Sequence, residues 1–237
     1  MTSSIASYSA IGRRKNNEDA FCAHLSDSGL LAVVCDGLGG HENGEYASRK
    51  AVDVIRLMLE GRPLSEDLLE DAVLSAHDAI IELHRERAEA MTTVTVLWSD
   101  GETALTAHVG DSRIYQFRDG QVLFQSTDHS VSQLAVMAGD ITLEQIRSHK
   151  DRNKLIRVLG GQQPPRVDLN TLRVLPGDRF LLCSDGFWET IVETEMLRLA
   201  LLSPDAEGWL AAMRAVAEPA ASDNNTAVAV VWGGAAN

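Results

Sequence analysis

Positive charge is scarce in this chain. Its 21 lysines and arginines face 34 aspartates and glutamates, a formal net charge of −13. Binding along a nucleic-acid backbone requires the opposite sign, so no nucleic-acid partner is expected. Cysteine is equally sparse. Cys22, Cys35 and Cys183 are odd in number and lie in or beside apolar runs, which reads as free buried thiols rather than a disulfide framework. No apolar run approaches the ~18 residues of a membrane span. The start, M-T-S-S-I-A-S-Y-S-A, has neither the basic nor the apolar region of a signal peptide. The expectation is a cytoplasmic protein with no membrane partner. Three chemistries are also absent. There is no G-x-x-x-x-G-K-[ST] phosphate loop, no cysteine followed by an arginine-closed phosphate loop, and no histidine set suited to a zinc hydrolase.

What remains is an apolar chain built from short strands. Of its 237 residues, 45% are apolar, ample for a substantial core. Strand-like runs fall at 5–8, 20–25, 30–35, 93–98, 103–109, 113–117, 122–125, 171–175, 180–183 and 226–232. Asp27-Ser28-Gly29, Asp100-Gly101 and Asp119-Gly120 are turn signals between neighbours, and such tight links make antiparallel hairpins. Two helices are expected together. One, over 45–60, carries Ala47, Ala51, Val54, Ile55, Met58 and Leu59 on one face and stops at Gly61. The other opens on Ser65 as N-cap and closes on His84-Arg85-Glu86-Arg87. A third helical region, 131–158, is broken at Gly139 and at 149–153 and reads as a flap between strands. Antiparallel strands with segregated helices suggest an α+β layered sandwich.

Three aspartates stand apart from the turn residues Asp100 and Asp119. Asp36 follows L-L-A-V-V-C, Asp111 follows L-T-A-H-V-G, and Asp185 follows R-F-L-L-C-S. Each is left at the end of an apolar strand beside a glycine. Asn17-Glu18-Asp19 and Asp223-Asn224-Asn225 flank two further strands. If these strand ends converge, the carboxylates repel one another and require a cation. Oxygen-only ligands select a hard ion such as Mg²⁺ or Mn²⁺. Part of the negative excess would then be neutralised only by bound metal.

The motifs, in order, are R-x-x-N-E-D at 14–19, D-G-x-G-G-H at 36–41, G-x-x-A-S at 44–48 and Thr92-Thr93. They continue with G-D-S-R-x-Y at 110–115, D-H-S at 128–130, S-D-G at 184–186 and D-N-x-T at 223–226. Together they resemble the bacterial PP2C-type, metal-dependent serine/threonine phosphatases, from about residue 9 to 232. The resemblance implies two stacked antiparallel sheets flanked by helix pairs, a flap inserted around 131–170, and one catalytic domain over 1–237. It implies hydrolysis of phosphoserine and phosphothreonine monoesters at a binuclear Mn²⁺ or Mg²⁺ centre, with a third, weaker metal position.

By that resemblance Asp36 bridges two metals, the Gly37 carbonyl binds one of them, and Asp185 and Asp223 complete a shell. Asp111 joins Asp185 at the third position. Glu18 and Asp19 act through waters on the metals, and Arg14 binds the substrate phosphate, where its guanidinium fork suits a phosphoryl group. Thr92 and Thr93 are expected to be structural. His41 is expected to cap its loop, and His129 to sit in a packed turn before the flap. Some family members carry a histidine where this chain has Leu38. Met91, and Phe187-Trp188-Glu189, also depart from the pattern and are expected to reshape the rim. Partners implied are a phosphoprotein and an opposing Hanks-type kinase. The rival expectation is an inactive metal-binding interaction module, which predicts a lost ligand where none is missing.

Overall fold

A computed structural model describes residues 3–26, 29–38, 43–85, 89–221 and 223–233. Its strands are β1 (Ser4–Ala10), β2 (Asp19–Ser26), β3 (Gly29–Leu38), β4 (Met91–Thr92), β5 (Val94–Ser99), β6 (Thr103–Val109), β7 (Arg113–Arg118), β8 (Gln121–Gln125), β9 (Asp168–Arg173), β10 (Arg179–Cys183) and β11 (Asn225–Val231). The α-helices are α1 (Asn43–Leu59), α2 (Glu66–Leu83), α3 (Val131–Ala138), α4 (Asp185–Trp188), α5 (Glu193–Leu202) and α6 (Ala206–Ala217). One sheet runs β1-β11-β10-β7-β8. The other runs β2-β3-β5-β6-β9, with β4 paired to β3. All their pairings are antiparallel.

Strand alternation sorts the apolar residues into three layers. On β3, Leu31, Val33 and Cys35 pack with α1 and α2, while Leu30, Ala32 and Val34 face the other sheet. On β10, Leu181 and Cys183 pack with α5 and α6, while Phe180 and Leu182 face inward to meet them. The result is the expected sandwich of two sheets with a helix pair outside each.

The hairpin aspartates behave as turns. Asp100 Oδ1 accepts from Glu102 N and Thr103 N at 3.0 and 2.9 Å. Asp119 and Gly120 take φ of 51° and 75° between β7 and β8. Ser65 caps α2, accepting from Leu68 N at 3.2 Å. The far ends of two expectations, residues 27–28 and 86–87, lie outside the described residues.

Several expectations need correction. The region 131–158 is less helical than its apolar pattern suggests. The expected break at Gly139 is present, closing α3 at φ 80°, but beyond it only a short 3₁₀ turn at Glu144–Ser148 is helical. The chain then returns as an extended limb bridged at Ser130↔Leu155 and Thr92↔Leu159. β9 starts three residues before the expected 171 and ends at Arg173. Val174 and Leu175 already belong to the Pro176-Gly177 turn, with Leu175 N bonded to Asp178 Oδ2 at 2.9 Å. Phe187 and Trp188 are buried core residues, 0% and 1% exposed, so they do not shape a rim. The pair α5 and α6 has no counterpart in the run pattern above, although Trp209, Leu210, Met213 and Ala217 mark its buried face.

Candidate metal centre

Sheet register brings the strand-end acids together. Asp19 stands directly opposite Asp36 across β2 and β3. In the other sheet, Cys183 pairs with Arg113 on β7 and with Ala227 on β11. Two residues past Cys183 the chain reaches Asp185; two residues before Arg113 lies Asp111, and Asp223 precedes the start of β11. Because β6 and β7 belong to different sheets, the Gly110-Asp111-Ser112 turn crosses between them and is no hairpin turn.

The acids surround a cavity of about 210 Å³ lined by Arg14, Glu18, Asp36, Gly37, Leu38, Asp111, Asn153, Leu155, Asp185, Asp223 and Asn224. Of the expected site residues, only Asp19 is off this lining. It lies behind Asp36, 7% exposed, with Oδ2 accepting from Ser184 Oγ at 2.8 Å. Among the described residues no histidine lines the cavity. His41, expected to cap its loop, lies outside the described residues.

Close backbone packing sets this geometry. A Cβ on Gly37 would stand 2.2 Å from Gly44 O and 2.5 Å from Glu18 O, so α1 can start against β3 only over a glycine. The same corner is tied by Gly37 N donating to Glu18 O at 3.1 Å and Ser48 Oγ donating to it at 2.5 Å. A Cβ on Gly186 would lie 2.0 Å from Asn224 O, which lets Asp185 and Asp223 stand side by side. Thr92 and Thr93 clamp the Asp36 backbone, as their structural reading anticipates. Asp36 N donates to Thr93 Oγ1 at 2.9 Å, and Thr92 Oγ1 donates to Asp36 O at 2.8 Å.

Sequence reasoning assigned no role to Asn224, Asn153, Arg113 or Asp128. Asn224 is a hub: Nδ2 donates to Ile11 O and Asn16 O at 3.0 and 2.9 Å, and Oδ1 accepts from Glu18 N at 2.8 Å. Arg113 forms a bidentate pair with Asp128 at 2.8 and 2.7 Å and lies 3.6 Å over the Trp188 ring. Trp188 Nε1 in turn donates to Asp111 O at 2.9 Å. Charged residues in otherwise apolar segments were the available signal. At the mouth, Arg14 Nε donates to Asp223 Oδ1 at 2.6 Å, and Glu189 meets Arg152 of the flap at 2.7 Å.

The electrostatics are those of crowded anions. Burial pushes Asp36 well above the usual aspartate range, and Asp19, Asp185 and Asp111 push it further. Burial raises Asp111 in the same direction, with Asp185 as the next cause. Asp185 is raised by burial against a relieving hydrogen bond with Asp36, and Asp19 is pushed up to about 7, chiefly by burial. Glu18 is raised by burial as well. Asp19 Oδ1 is buried with no hydrogen-bond partner. This oxygen-only, mutually repelling set fits hard divalent cations, which would relieve the repulsion.

A second cluster, His108, His129 and Asp168, has ligand atoms within 4.8 Å of one another. It is poorly suited to metal, because both ring nitrogens of His129 are engaged. Gly110 N donates to Nδ1 at 3.1 Å, and Nε2 faces Asp168 Oδ2 at 3.2 Å.

These shifts give a sign for pH. A carboxyl whose folded value lies above its unfolded one stabilises the fold fully at low pH, and that contribution is lost as pH rises through the folded value. With Asp19 near 7 and its neighbours raised too, the melting temperature of chelator-stripped protein should fall between pH 5 and pH 8. Mn²⁺ should restore it most at pH 8. Scanning fluorimetry across that range checks this, and a metal-free profile that rises with pH would contradict it.

A family model described as Protein phosphatase 2C matches residues 7–228. The serine/threonine protein phosphatase PstP of Mycobacterium tuberculosis is 32% identical over 200 residues, 82% of this chain and 38% of that protein. The chain thus matches well under half the length of that relative. A crystal structure of the PPM Ser-Thr phosphatase MsPP from Mycobacterium smegmatis, in complex with cacodylate, aligns at TM-score 0.85 and 33% identity, covering 97% of this chain and 98% of that one. The catalytic domain of PstP, in complex with two manganese ions, aligns at TM-score 0.86 and 28% identity, covering 98% of this chain and 99% of the other.

Proposed function

The chain belongs to the protein phosphatase 2C family, and we propose that it hydrolyses phosphoserine and phosphothreonine esters on proteins with Mn²⁺ or Mg²⁺ as cofactor. One observation carries the reading: five carboxylates and one arginine line a single cavity, with no competing cation among the described lining residues. The inactive-module alternative needs a missing acid, and Glu18, Asp36, Asp111, Asp185 and Asp223 are all present.

In this reading Asp36, Asp185, Asp223 and the Gly37 backbone would hold two ions, and Asp111 with Asp185 would hold a weaker third. Glu18 and Asp19 act from the flank and from behind. When bound, such ions supply an activated water and offset charge on the phosphoryl oxygens. The chain's own contribution is positional. Asp36 is fixed by the two threonines, and Asp223 is held beside Asp185 by the contact at Gly186. Arg14, its side chain 59% exposed, now pairs with Asp223. That pair is the one to open: released from Asp223, the guanidinium fork can take two phosphoryl oxygens. Leu38 and Leu155 supply the apolar part of the lining, and Asn153 brings the flap to it. The phosphoprotein would be the product of a Hanks-type kinase, and the setting cytoplasmic. No helix among the described residues is long and apolar enough to cross a membrane.

The test is phosphate release from phosphoserine and phosphothreonine peptides by wild type and Arg14→Ala. Losing a charge-assisted bidentate contact costs roughly 1.5–3 kcal/mol, so kcat/KM should fall by about one to two decades. Calorimetric Mn²⁺ affinity should hold or tighten, because Arg14 no longer competes for Asp223. A collapse of Mn²⁺ binding in that variant would remove Arg14 from phosphate binding, and a wild type inert on both peptides would remove the function.

A further inference from the structure

The loop that carries Asp111 is held on one side by Ser112 Oγ against Thr93 Oγ1 at 2.7 Å and by Trp188 Nε1 on Asp111 O at 2.9 Å, which leaves the Gly110 peptide to be fixed. Gly110 takes φ 111°, and a Cβ there would strike Thr93 Cγ2 at 2.6 Å, so no side chain at 110 could anchor the turn. The Gly110 peptide is anchored from elsewhere in the chain. His129 N donates to Gly110 O at 2.8 Å, and Gly110 N donates to His129 Nδ1 at 3.1 Å. One residue therefore grips both polar groups of Gly110.

The same residue reaches the flap. His129 O accepts from Ile156 N at 2.9 Å, two residues after Val131 N donates to Lys154 O at 2.8 Å along the returning limb. That limb carries Asn153 and Leu155, which line the cavity. The imidazole is itself oriented. It stacks on His108 with ring centroids 4.6 Å apart. With Nδ1 accepting from Gly110, the ring proton belongs on Nε2 and points to Asp168 Oδ2 at 3.2 Å, while the Arg157 guanidinium, itself only a donor, stands beside the same nitrogen at 3.0 Å without a hydrogen bond to it. Arg157 Nη1 holds Asp168 Oδ1 at 2.8 Å, closing the set. A buried histidine, 4% exposed, thus has each polar atom assigned a partner.

We propose that His129 is a positioning residue for Asp111: through Nδ1 it sets the Gly110-Asp111 backbone, and through its own backbone it ties that setting to the flap limb. This rests on Asp111 being the acid of the weaker metal position. His129 touches neither substrate nor metal in this account.

Two substitutions separate the role from simple packing, because each replaces one ring nitrogen. In His129→Asn the amide oxygen stands near the place of Nδ1 and can still accept from Gly110. In His129→Gln the amide reaches the place of Nε2, keeping Asp168 and losing Gly110. Full-length protein, stripped with chelator and titrated with Mn²⁺ alone, is compared with wild type by calorimetry, amide exchange at Gly110 and melting temperature. Turnover of a chromogenic phosphate ester is then measured on the same samples.

In His129→Gln, Gly110 exchange should speed up about tenfold and the weakest Mn²⁺ class should lose about tenfold in affinity, the value of one hydrogen bond. The ester kcat should fall by a similar factor with KM little changed, whereas His129→Asn should stay within about threefold of wild type on all three. Equal behaviour of the two variants, whether both intact or both impaired, would overturn the proposal. So would losses that follow melting temperature alone. A wild type without Mn²⁺-dependent turnover would instead sink the phosphatase reading, while Gly110 exchange and Mn²⁺ affinity still decide the role of His129.

Discussion

Asp36→Asn should lose at least about three orders of magnitude in turnover, on the order of 4 kcal/mol of transition-state stabilisation. Asn is nearly isosteric, so the clamp by Thr92 and Thr93, which acts on the Asp36 backbone, should survive. The melting temperature of the metal-free protein should hold or rise, because one of the mutually repelling carboxyls has gone. That combination, a stable fold with a dead site, separates a metal-bridging acid from a structural one. Rate and melting curve on one sample measure it. A variant that keeps a tenth of wild-type turnover would remove Asp36 from the centre.

The second large effect is on stability. The Arg113 side chain is 0% exposed and that of Asp128 2% exposed, so Asp128→Ala leaves a buried guanidinium without its main partner. Such losses cost about 3–5 kcal/mol. Glu193, at 3.3 Å from Arg113 Nη1, offers partial compensation and argues for the lower end. About 3 kcal/mol corresponds to a drop of roughly 6–12 °C in melting temperature for a chain this size. Because Arg113 lies on Trp188, and Trp188 bonds the Asp111 backbone, turnover should fall even below the melting transition. Denaturant unfolding of the variant against wild type checks it, and a loss under about 1 kcal/mol would show that the pair is not holding this corner.

The strand-end acids were legible because each breaks a local rule. An apolar run that ends on aspartate beside glycine has no local reason to do so. Their convergence was legible only through resemblance, since it depends on register. Asp19 meets Asp36 by pairing within one sheet, whereas Asp111 and Asp185 meet through β7 and β10 of the other. The strands themselves read well where alternation and tight turns agree, as around Asp100 and Asp119. The flap misled because apolar residues there serve an extended limb, pinned by bridges to Thr92 and Ser130, rather than a helix face. Phe187 and Trp188 read as rim residues because they depart from the family pattern just after an acid of the site. In fact α4 turns them straight into the core between sheet and helices. The Arg113–Asp128 pair was invisible as a pair: each charge appeared only as a motif letter, and nothing local says that two buried charges fifteen residues apart face each other.

Mn²⁺ binding and turnover, measured together on chelator-stripped wild type and Asp36→Asn, test the central claim most directly. The account predicts no hydrolysis by wild type in excess EDTA, full recovery with Mn²⁺, and two tight Mn²⁺ equivalents by calorimetry that Asp36→Asn fails to bind. Full wild-type turnover in excess EDTA, or unchanged Mn²⁺ binding in Asp36→Asn, would contradict it.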